Sequence, residues 1–311
     1  TLNARLTARR SLVRRARILS LVCCLLAPIG LAVQLDDVVA ARTWHVSTGG
    51  RDTASGTSAL PLRSISEAVR RASSGDVVEI RGGVYRESVQ VYRKAIHIRA
   101  RSGERVVLDG SRQVTGWQRS GSIWGKRGWA TQFRSDFGPM VPSNNRVAGL
   151  PDQVFVDGRA LTQVTSRAAV RDGHFFHDTA GDRLYIGVDP TSRRVDASVR
   201  SWGIYLNEAH GSRVTDLIVR RYGTERRHVA AVRAYANDLV LDGVVTEDNA
   251  AIGISVIGRD VTLRDGRSSN NGYLGLHADR ARRLTIDTMA VIGNNTAGIA
   301  PIHSAGGLKD T

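Results

Sequence analysis

Short apolar segments recur at a nearly fixed distance in the C-terminal third of the chain. Residues 239–241, 261–263 and 284–286 read Leu-Val-Leu, Val-Thr-Leu and Leu-Thr-Ile, and they follow one another at intervals of 22 and 23 residues. The remainder of each interval is itself divided by turns, so no interval has room for a helix of ten or more residues. A repeat of this length is one supersecondary unit that buries its apolar side only against its neighbours. We therefore expect an all-β fold, a right-handed parallel β-helix.

An asparagine marks the same place in each repeat. Asn249, Asn271 and Asn294 are each followed four residues later by glycine and then by isoleucine or leucine. Asparagine tolerates the left-handed backbone region, and its side chain can form hydrogen bonds to neighbouring backbone. We expect the three asparagines to stack in one turn of successive coils, in the left-handed conformation.

One amphipathic helix is predicted near the start of the β-region. After Pro61, the apolar residues Ile65, Ala68, Val69 and Ala72 are spaced as on one face of a helix. We expect this helix to cap the open end of the β-helix, where the apolar core and an unpaired strand edge would otherwise meet water.

The repeat is interrupted between residues 111 and 200. Residues 153–156 and 160–164 flank the turn sequence Asp157-Gly158, and residues 175–176 and 184–186 flank a second polar turn. This pattern predicts hairpins, so we expect an inserted β subdomain at about 111–200 and regular coils at about 203–311.

The first 41 residues have the pattern of an export signal. Arginines within residues 9–17 precede an apolar run over residues 18–33, and Ala40-Ala41 offers a small-residue cleavage site. We expect cleavage after Ala41, secretion, and a β-helix over residues 42–311. A twin-arginine signal and a retained membrane anchor are the alternatives. At the other end, residues 306–311 stop in mid-coil, and we expect a longer β-helix truncated at this point.

Composition narrows the choice of partners. The net charge is +15, carried mostly by arginine, and both cysteines, Cys23 and Cys24, fall in the signal. A disulfide or a cysteine metal site in the exported chain is therefore not expected. The charge is explained either by an acidic polysaccharide partner or by an ordinary solvated surface. No nucleic-acid-binding motif occurs, and we expect a monomer that makes no stable membrane association after cleavage.

Aligning the repeats predicts which side chains face outward. We expect Ile204, Val232, Ile254, Leu276 and Ile299 to be equivalent and to point inward. One outward row is then Tyr205, Arg233, Ser255, His277 and Ala300, and the next is Asn207, Tyr235, Ile257, Asp279 and Ile302, with Arg280 and His303 beside them. Because neighbouring coils are about 4.8 Å apart, this face is either a groove for a sugar chain or a plain polar surface.

Three residues have side chains suited to acid–base chemistry. His277 and Asp279 lie on one strand and are expected to face the same way, so they are a candidate acid–base pair. Lys309, if it lies close to arginines, would have a lowered pKa and could act as a base. An ordinary exposed surface residue is the alternative for each, and it is the more frequent case for histidine and lysine. A weaker candidate is a carboxylate pair, because Glu225 lies one 22-residue interval before Glu247.

The N-terminal sequence resembles a known superfamily. Residues 44–52, 61–68 and 75–87 read WHVSTGGRD, PLRSISEA and GDVVEIRGGVYRE. These segments resemble the opening of the pectate-lyase-like superfamily of secreted bacterial β-helix proteins, and the resemblance extends over nearly all of residues 44–311. It implies a polysaccharide lyase, a uronan epimerase or a glycoside hydrolase.

The resemblance also implies a particular chemistry. Lyases of this superfamily remove the C5 proton of a uronate with a lysine or arginine base, often with calcium on the carboxylate. Calcium requires several converging carboxylates, and the sequence places no such cluster. The predicted insert resembles that of xylosidase-type β-helix hydrolases, which require two carboxylates across the scissile bond.

The leading hypothesis is a secreted polysaccharide lyase that cleaves a uronate polymer by β-elimination. Arg233 would bind the carboxylate, His277 or Lys309 would be the base, and Asp279 would orient it. Further substrate contacts are expected from Tyr205, Tyr235, Arg280 and His303. The alternatives are a glycoside hydrolase that uses Glu225, Glu247 or Asp279, and a carbohydrate-binding protein without activity.

Overall fold

The computed structural model describes residues 40–134, 141–224 and 229–299, together with the backbone of 306–310. Most of the predicted export signal lies outside these residues. The chain from Ala41 onward forms one compact unit. Over the described ranges, no helix is long and apolar enough to cross a membrane.

The N-terminal part contains one helix and six strands. They are β1 (Thr43–Val46), α1 (Ile65–Arg71), β2 (Val77–Ile80), β3 (Gly83–Tyr85), β4 (Val89–Tyr92), β5 (His97–Ala100) and β6 (Val106–Asp109).

Nine strands and one 3₁₀ turn (Arg167–Ala169) follow. The strands are β7 (Ser111–Gln113), β8 (Gln118–Ser120), β9 (Ile123–Arg127), β10 (Val154–Val156), β11 (Arg159–Ala160), β12 (Thr162–Gln163), β13 (His174–Asp178), β14 (Arg183–Ile186) and β15 (Val195–Ser198).

The remaining strands form the regular coils. They are β16 (Ile204–Asn207), β17 (Arg213–Thr215), β18 (Leu217–Arg220), β19 (Ala230–Tyr235), β20 (Val240–Asp242), β21 (Val245–Glu247), β22 (Ile252–Ile257), β23 (Arg259–Arg264), β24 (Arg267–Ser269), β25 (Leu274–Ala278), β26 (Arg282–Asp287), β27 (Ala290–Ile292) and β28 (Gly306–Asp310).

Three parallel sheets run along the molecule. Sheet I has the order β1-β2-β5-β17-β20-β23-β26, sheet II has the order β4-β16-β19-β22-β25-β28, and sheet III has the order β3-β6-β18-β21-β24-β27. Successive strands of the regular coils visit sheets I, III and II in turn, so each coil adds one strand to every sheet. This arrangement is a parallel β-helix, as the repeat predicts.

The apolar positions of successive coils stack in columns. Leu241 pairs with Leu263, and Leu263 pairs with Ile286. Leu241 and Leu263 belong to one continuous core that extends from Trp44 to Leu276. Ile286, by contrast, is 42% exposed. The predicted column is thus confirmed, and its burial ends at the last described coil of sheet I.

The asparagine ladder is also present. Asn249 Nδ2 donates to Asn271 Oδ1 at 2.9 Å, and Asn271 Nδ2 donates to Asn294 Oδ1 at 2.9 Å. Gly253 is needed because a Cβ there would clash with Ser268 Oγ and Thr246 Oγ1 and would lie 2.8 Å from Asn271 Nδ2 of the next coil. The glycine in the repeat therefore leaves room for the asparagine of the neighbouring coil.

The expected left-handed conformation is displaced by one residue. Positive φ angles occur at Asp248, Asn270 and Gly293, each directly before a ladder asparagine, and not at the ladder residues themselves. The preceding residue makes the turn, and the ladder asparagine keeps an ordinary backbone so that its side chain lies along the stack. The sequence-based assignment of the turn position was wrong for this reason.

The predicted cap helix is α1. Ser64 is its N-cap and accepts a hydrogen bond from the Glu67 backbone N–H, while Ile65, Ala68 and Val69 are buried in the common core. The helix thus covers the core at the start of the β-helix, as expected.

The strands β7–β15 interrupt the coils between sheet III and sheet II. They form sheet IV, with the order β11-β10-β15-β7, and sheet V, with the order β12-β13-β14-β9-β8. Both predicted hairpins are present, since Phe155 pairs antiparallel with Ala160 and Phe176 pairs antiparallel with Tyr185. These strands have their own core, formed around Phe175, with Trp129 buried in it.

Candidate functional site

Sheet II aligns the predicted site residues in one column. Tyr205 pairs with Arg233, Arg233 with Ser255, Ser255 with His277, and His277 with Lys309. Their inward neighbours Val232, Ile254 and Leu276 belong to the core, so this column is on the outward side of the sheet. We call it the sheet II column.

The last member of the column differs from the prediction. Leu276 pairs with Leu308, not with Ile299, so Lys309 takes the place assigned to Ala300. Ile299 instead packs with Tyr273 and Leu274 in a separate apolar cluster. The chain makes a longer connection here, with β28 starting at Gly306, and a fixed repeat length could not anticipate it. The correction brings two base candidates, His277 and Lys309, onto adjacent strands.

The Arg233 guanidinium lies against two tyrosine rings that meet edge to face. The guanidinium carbon is 4.0 Å from the Tyr205 ring centroid and 4.8 Å from that of Tyr235. The two rings meet edge to face with centroids 5.6 Å apart, and the Trp202 ring meets Tyr205 in the same way at 6.2 Å. Such stacking attracts a cation to the faces of the rings, so it fixes the guanidinium without neutralising its charge.

The charge of Arg233 has no counter-ion in the described part of the chain. Its side chain forms no ion pair there, and its Nε is buried without a hydrogen-bond partner. A guanidinium has five N–H donors arranged as a planar fork that matches a carboxylate. Arg233 is therefore held in place and still able to bind an anion.

Exposure decreases along the sheet II column. Gln90, which pairs with Tyr205, is exposed, and Arg233 is half-buried. Ser255 is fully buried and His277 is only 3% exposed, so the prediction that His277 faces solvent was wrong. Strand alternation tells which side of a sheet a residue is on, but not what covers that side. The Tyr235 hydroxyl lies 3.4 Å from Ser255 Oγ, which links the tyrosines to the buried end of the column.

Asp279 and Arg280 lie just beyond the end of β25. The Asp279 backbone N–H continues the ladder by donating to the Val256 carbonyl at 3.0 Å. Its carboxylate lies 3.4 Å from Arg280 Nε, and the Arg280 side chain is 79% exposed. Asp279 is thus next to the sheet II column and engaged with its neighbour. His303 lies outside the described residues, and Lys309 is described only by its backbone.

The strand register gives Glu247 a different partner from the candidate Glu225. Glu225 lies outside the described residues, and the residue one coil before Glu247 is Arg220, which in turn pairs with Asp109. The coil from Ile204 to Val232 is longer than the 22-residue repeat, so counting back from Glu247 gave the wrong partner. Arg220 contacts Asp109 at 3.0 Å and Glu247 at 3.8 Å. Both carboxylates are therefore neutralised.

Asp248, by contrast, is a carboxyl group that the sequence analysis did not single out. Burial and the charge of the adjacent Glu247 raise the pKa of Asp248 above its ordinary value. Its backbone carbonyl accepts a hydrogen bond from Gln153 Nε2 at 2.9 Å, so it lies beside the inserted strands. The only sequence signal that could have pointed to Asp248 is its position directly before the ladder residue Asn249.

A second group that sequence reasoning missed is His177 with Asp152. His177 Nδ1 lies 2.9 Å from Asp152 Oδ1, and the histidine side chain is 1% exposed. Burial alone would lower the pKa of His177, but the hydrogen bond and charge of Asp152, helped by the Trp129 backbone, raise it overall. Asp152 lines a cleft of about 310 Å³ between the inserted strands and the coil turns at Ala250 and Gly272. No sequence motif links these two residues.

Calcium, which the superfamily resemblance implies, does not fit the described residues. Among them no group of three or more His, Cys, Asp or Glu side chains could hold a metal ion. The sheet II column carries arginine, serine, histidine and tyrosine, which are not the oxygen-rich anionic set that calcium prefers.

Comparison with solved structures identifies proteins of similar fold. One is described as the complex of XylC with xylose, with a TM-score of 0.68, 16% identity, and coverage of 81% of this chain and 53% of that one. Another is described as a glycoside hydrolase, with a TM-score of 0.55, 13% identity, and coverage of 76% and 67%. A pectate lyase, Pel9A, gives a TM-score of 0.39 at 10% identity, covering 82% and 54%.

The TM-scores of the first two structures show a shared fold, and identities of 16% and 13% show nothing finer. The chain spans about half the length of the XylC structure. No protein-family model matches the chain, and none of the curated proteins compared with it does.

Proposed function

We propose that the protein is an exported, carbohydrate-active enzyme that cleaves an acidic polysaccharide by β-elimination at the sheet II column. The observation that carries the proposal is Arg233, whose guanidinium lies against the rings of Tyr205 and Tyr235 without a counter-ion among the described residues. Solved structures of the same fold that are described as a glycoside hydrolase and as a complex with xylose support a carbohydrate substrate.

The elimination requires an anion-binding group and a base. Arg233 would bind the uronate carboxylate through its fork of N–H donors and stabilise the negative charge that develops when the C5 proton leaves. His277 or Lys309 would accept that proton. The C5 electron pair would form the C4–C5 double bond as the C4–O bond breaks, and the departing oxygen would take up a proton.

The register supports this assignment of roles. His277 is two coils from Arg233 and one coil from Lys309, which corresponds to about 10 Å and about 5 Å along the β-helix. A sugar chain lying along the axis would meet Arg233 at the accessible end of the column, with the base candidates toward its buried end. Tyr205 and Tyr235 would hold the Arg233 guanidinium in place. Asp279, just beyond the end of β25, would orient the base.

The test is an assay of the full chain on polygalacturonate, alginate and neutral xylan. Formation of an unsaturated uronate is followed by its ultraviolet absorbance, and new reducing ends are counted in parallel. We expect Arg233→Lys to raise KM for the acidic polymers about tenfold, because an ammonium cannot form the two-point contact. His277→Gln should lower kcat more than it raises KM. Arg213→Lys is the matched control, since Arg213 is an exposed strand arginine on sheet I.

Several outcomes would contradict the proposal. Unchanged kinetics in Arg233→Lys, or equal activity on the neutral polymer, would exclude this face as the substrate site. Binding of acidic polymer without any turnover would indicate a carbohydrate-binding protein.

A glycoside hydrolase is the second candidate, because Asp248 has a raised pKa and a protonated carboxyl group can serve as a general acid. Reducing ends formed without ultraviolet absorbance, and lost in Asp248→Asn, would support it.

A further inference from the structure

The inserted strands present an outward surface that the proposed function does not use. In β14, Leu184 and Ile186 pack into the core of the insert, while Tyr185 between them packs on the opposite side of sheet V with Ile123 and Val170. Residues that face one another across antiparallel strands share a side of the sheet. The outward side of sheet V therefore carries Tyr185 and its cross-strand neighbours.

Three arginines surround Tyr185 on that side. The Arg167 guanidinium carbon lies 5.0 Å from the Tyr185 ring centroid, and Arg183 Nη1 donates to the Tyr185 hydroxyl at 3.4 Å. Arg127 pairs in register with Arg183. We call Arg127, Arg167 and Arg183 the arginine patch.

No carboxylate within the described residues forms an ion pair with the arginine patch. Two like charges directly opposite on paired strands repel one another, and this is the arrangement of Arg127 and Arg183. None of the three arginines forms an ion pair within the described ranges. The facing acidic residue is Asp178, which pairs with Arg183 from the other side, and its Oδ1 accepts a hydrogen bond from the Gly181 backbone.

Other arginines of the same chain are paired differently. Arg220 contacts in-register carboxylates on both sides, and Arg264 and Arg283 each have a carboxylate partner one coil away. These three arginines have the counter-ions that the arginine patch lacks among the described residues. The surface around Tyr185 forms a concavity of about 110 Å³ that Arg119 and Lys126 also line, without any acidic residue.

We propose that the arginine patch is a second binding site for acidic polysaccharide, separate from the sheet II column. It would bind carboxylate or sulfate groups carried at regular intervals along the sugar chain, since a guanidinium fork recognises both. This inference goes beyond the proposed function and shares only its substrate class. Single-stranded nucleic acid is less suited, because its bases need an open aromatic face and Tyr185 is 5% exposed.

The test measures binding of polygalacturonate, neutral xylan and single-stranded DNA to the full chain across a range of salt concentrations. We expect Arg127→Gln/Arg183→Gln to bind polygalacturonate about tenfold more weakly at low salt, and to reduce the slope of log K against log salt by about one to two. The control is Arg51→Gln/Arg105→Gln. It replaces two exposed arginines that form no ion pair, so the protein loses the same total charge as in the patch variant. It should bind almost as the unchanged protein does.

A second variant guards against loss of folding. Arg127→Glu would place an acidic residue opposite Arg183, so we expect a higher Tm together with weaker binding of the polyuronate. An equal loss of binding in the Arg51/Arg105 control, unaltered binding in the patch variants, or a loss confined to DNA would each overturn the proposal.

Separate readouts distinguish this site from the catalytic proposal. Turnover of short acidic oligosaccharides should be unaffected by Arg127→Gln/Arg183→Gln and reduced by Arg233→Lys. If Arg233→Lys has no effect while the patch variants lose polymer binding, the proposed function fails and the second site stands.

Discussion

The asparagine ladder allows a stability prediction whose size depends on position. Asn271 is fully buried. Its Oδ1 accepts from the Asn249 backbone N–H and Nδ2, and its own Nδ2 donates to Ser268 Oγ and Asn294 Oδ1. The change Asn271→Ala leaves two buried N–H groups of Asn249 without an acceptor. Each orphaned donor costs about 1–3 kcal/mol, so we expect a loss of about 3–4 kcal/mol in the free energy of unfolding.

Asn294→Ala is the matched control at the end of the ladder. Asn294 accepts two hydrogen bonds from Asn271 and donates one to the Ser268 carbonyl, and it is only partly buried. Water can therefore replace its oxygen, and we expect a cost of about 1 kcal/mol, the typical net value of an accessible hydrogen bond.

The measurement is urea unfolding followed by tryptophan fluorescence and far-ultraviolet circular dichroism. Tryptophan reports mainly on the inserted strands, where Trp117, Trp124 and Trp129 belong to the core of the insert, whereas dichroism reports on all sheets. Coincident transitions permit a two-state free energy. Equal losses in the two variants, or a loss below about 1 kcal/mol for Asn271→Ala, would refute the argument that the buried ladder stabilises the coils.

Two further predictions concern the core and pH. Leu263→Ala should lower the free energy of unfolding by about 2–5 kcal/mol, because Leu263 is fully buried in the common core. Ile286→Ala, at the 42%-exposed end of the same column, should cost less than half as much. Equal costs in the two variants would contradict the assigned burial. Asp152 raises the pKa of His177 above its ordinary value. Their interaction should therefore stabilise the fold fully below about pH 6.5, the usual pKa of histidine. This stabilisation should be lost as the pH rises through the pKa of His177 in the folded state. Denaturation from pH 5 to pH 9 should show this decline in the unchanged protein and not in Asp152→Asn, and parallel curves would exclude it.

Much of the β-helix could be predicted from the sequence because its determinants are local. The 22-residue interval, the alternation within each apolar segment and the Asn-Gly spacing each reflect contacts between identical places in adjacent coils. Once the chain repeats, a prediction for one coil applies to the next, and the pairing of Arg233 with Ser255 and of Ser255 with His277 follows directly. The cap helix was equally predictable, since Ser64 and the apolar spacing after it are signals within one short segment.

Only the tertiary structure determined where the regular repeat ends and which outward positions of the sheets are covered. The longer connection before β28 puts Lys309, not Ala300, beside His277. The apolar pattern could not show this, because Ile299 is buried in a separate apolar cluster and not in the coil core. The burial of His277 and the contact between Asp152 and His177 depend on segments far apart in sequence. The same holds for Arg127 and Arg183, whose opposition is set by strand register across a sheet. Hydrophobic patterning determines which side of a strand is apolar, whereas contacts between distant segments decide which polar groups meet.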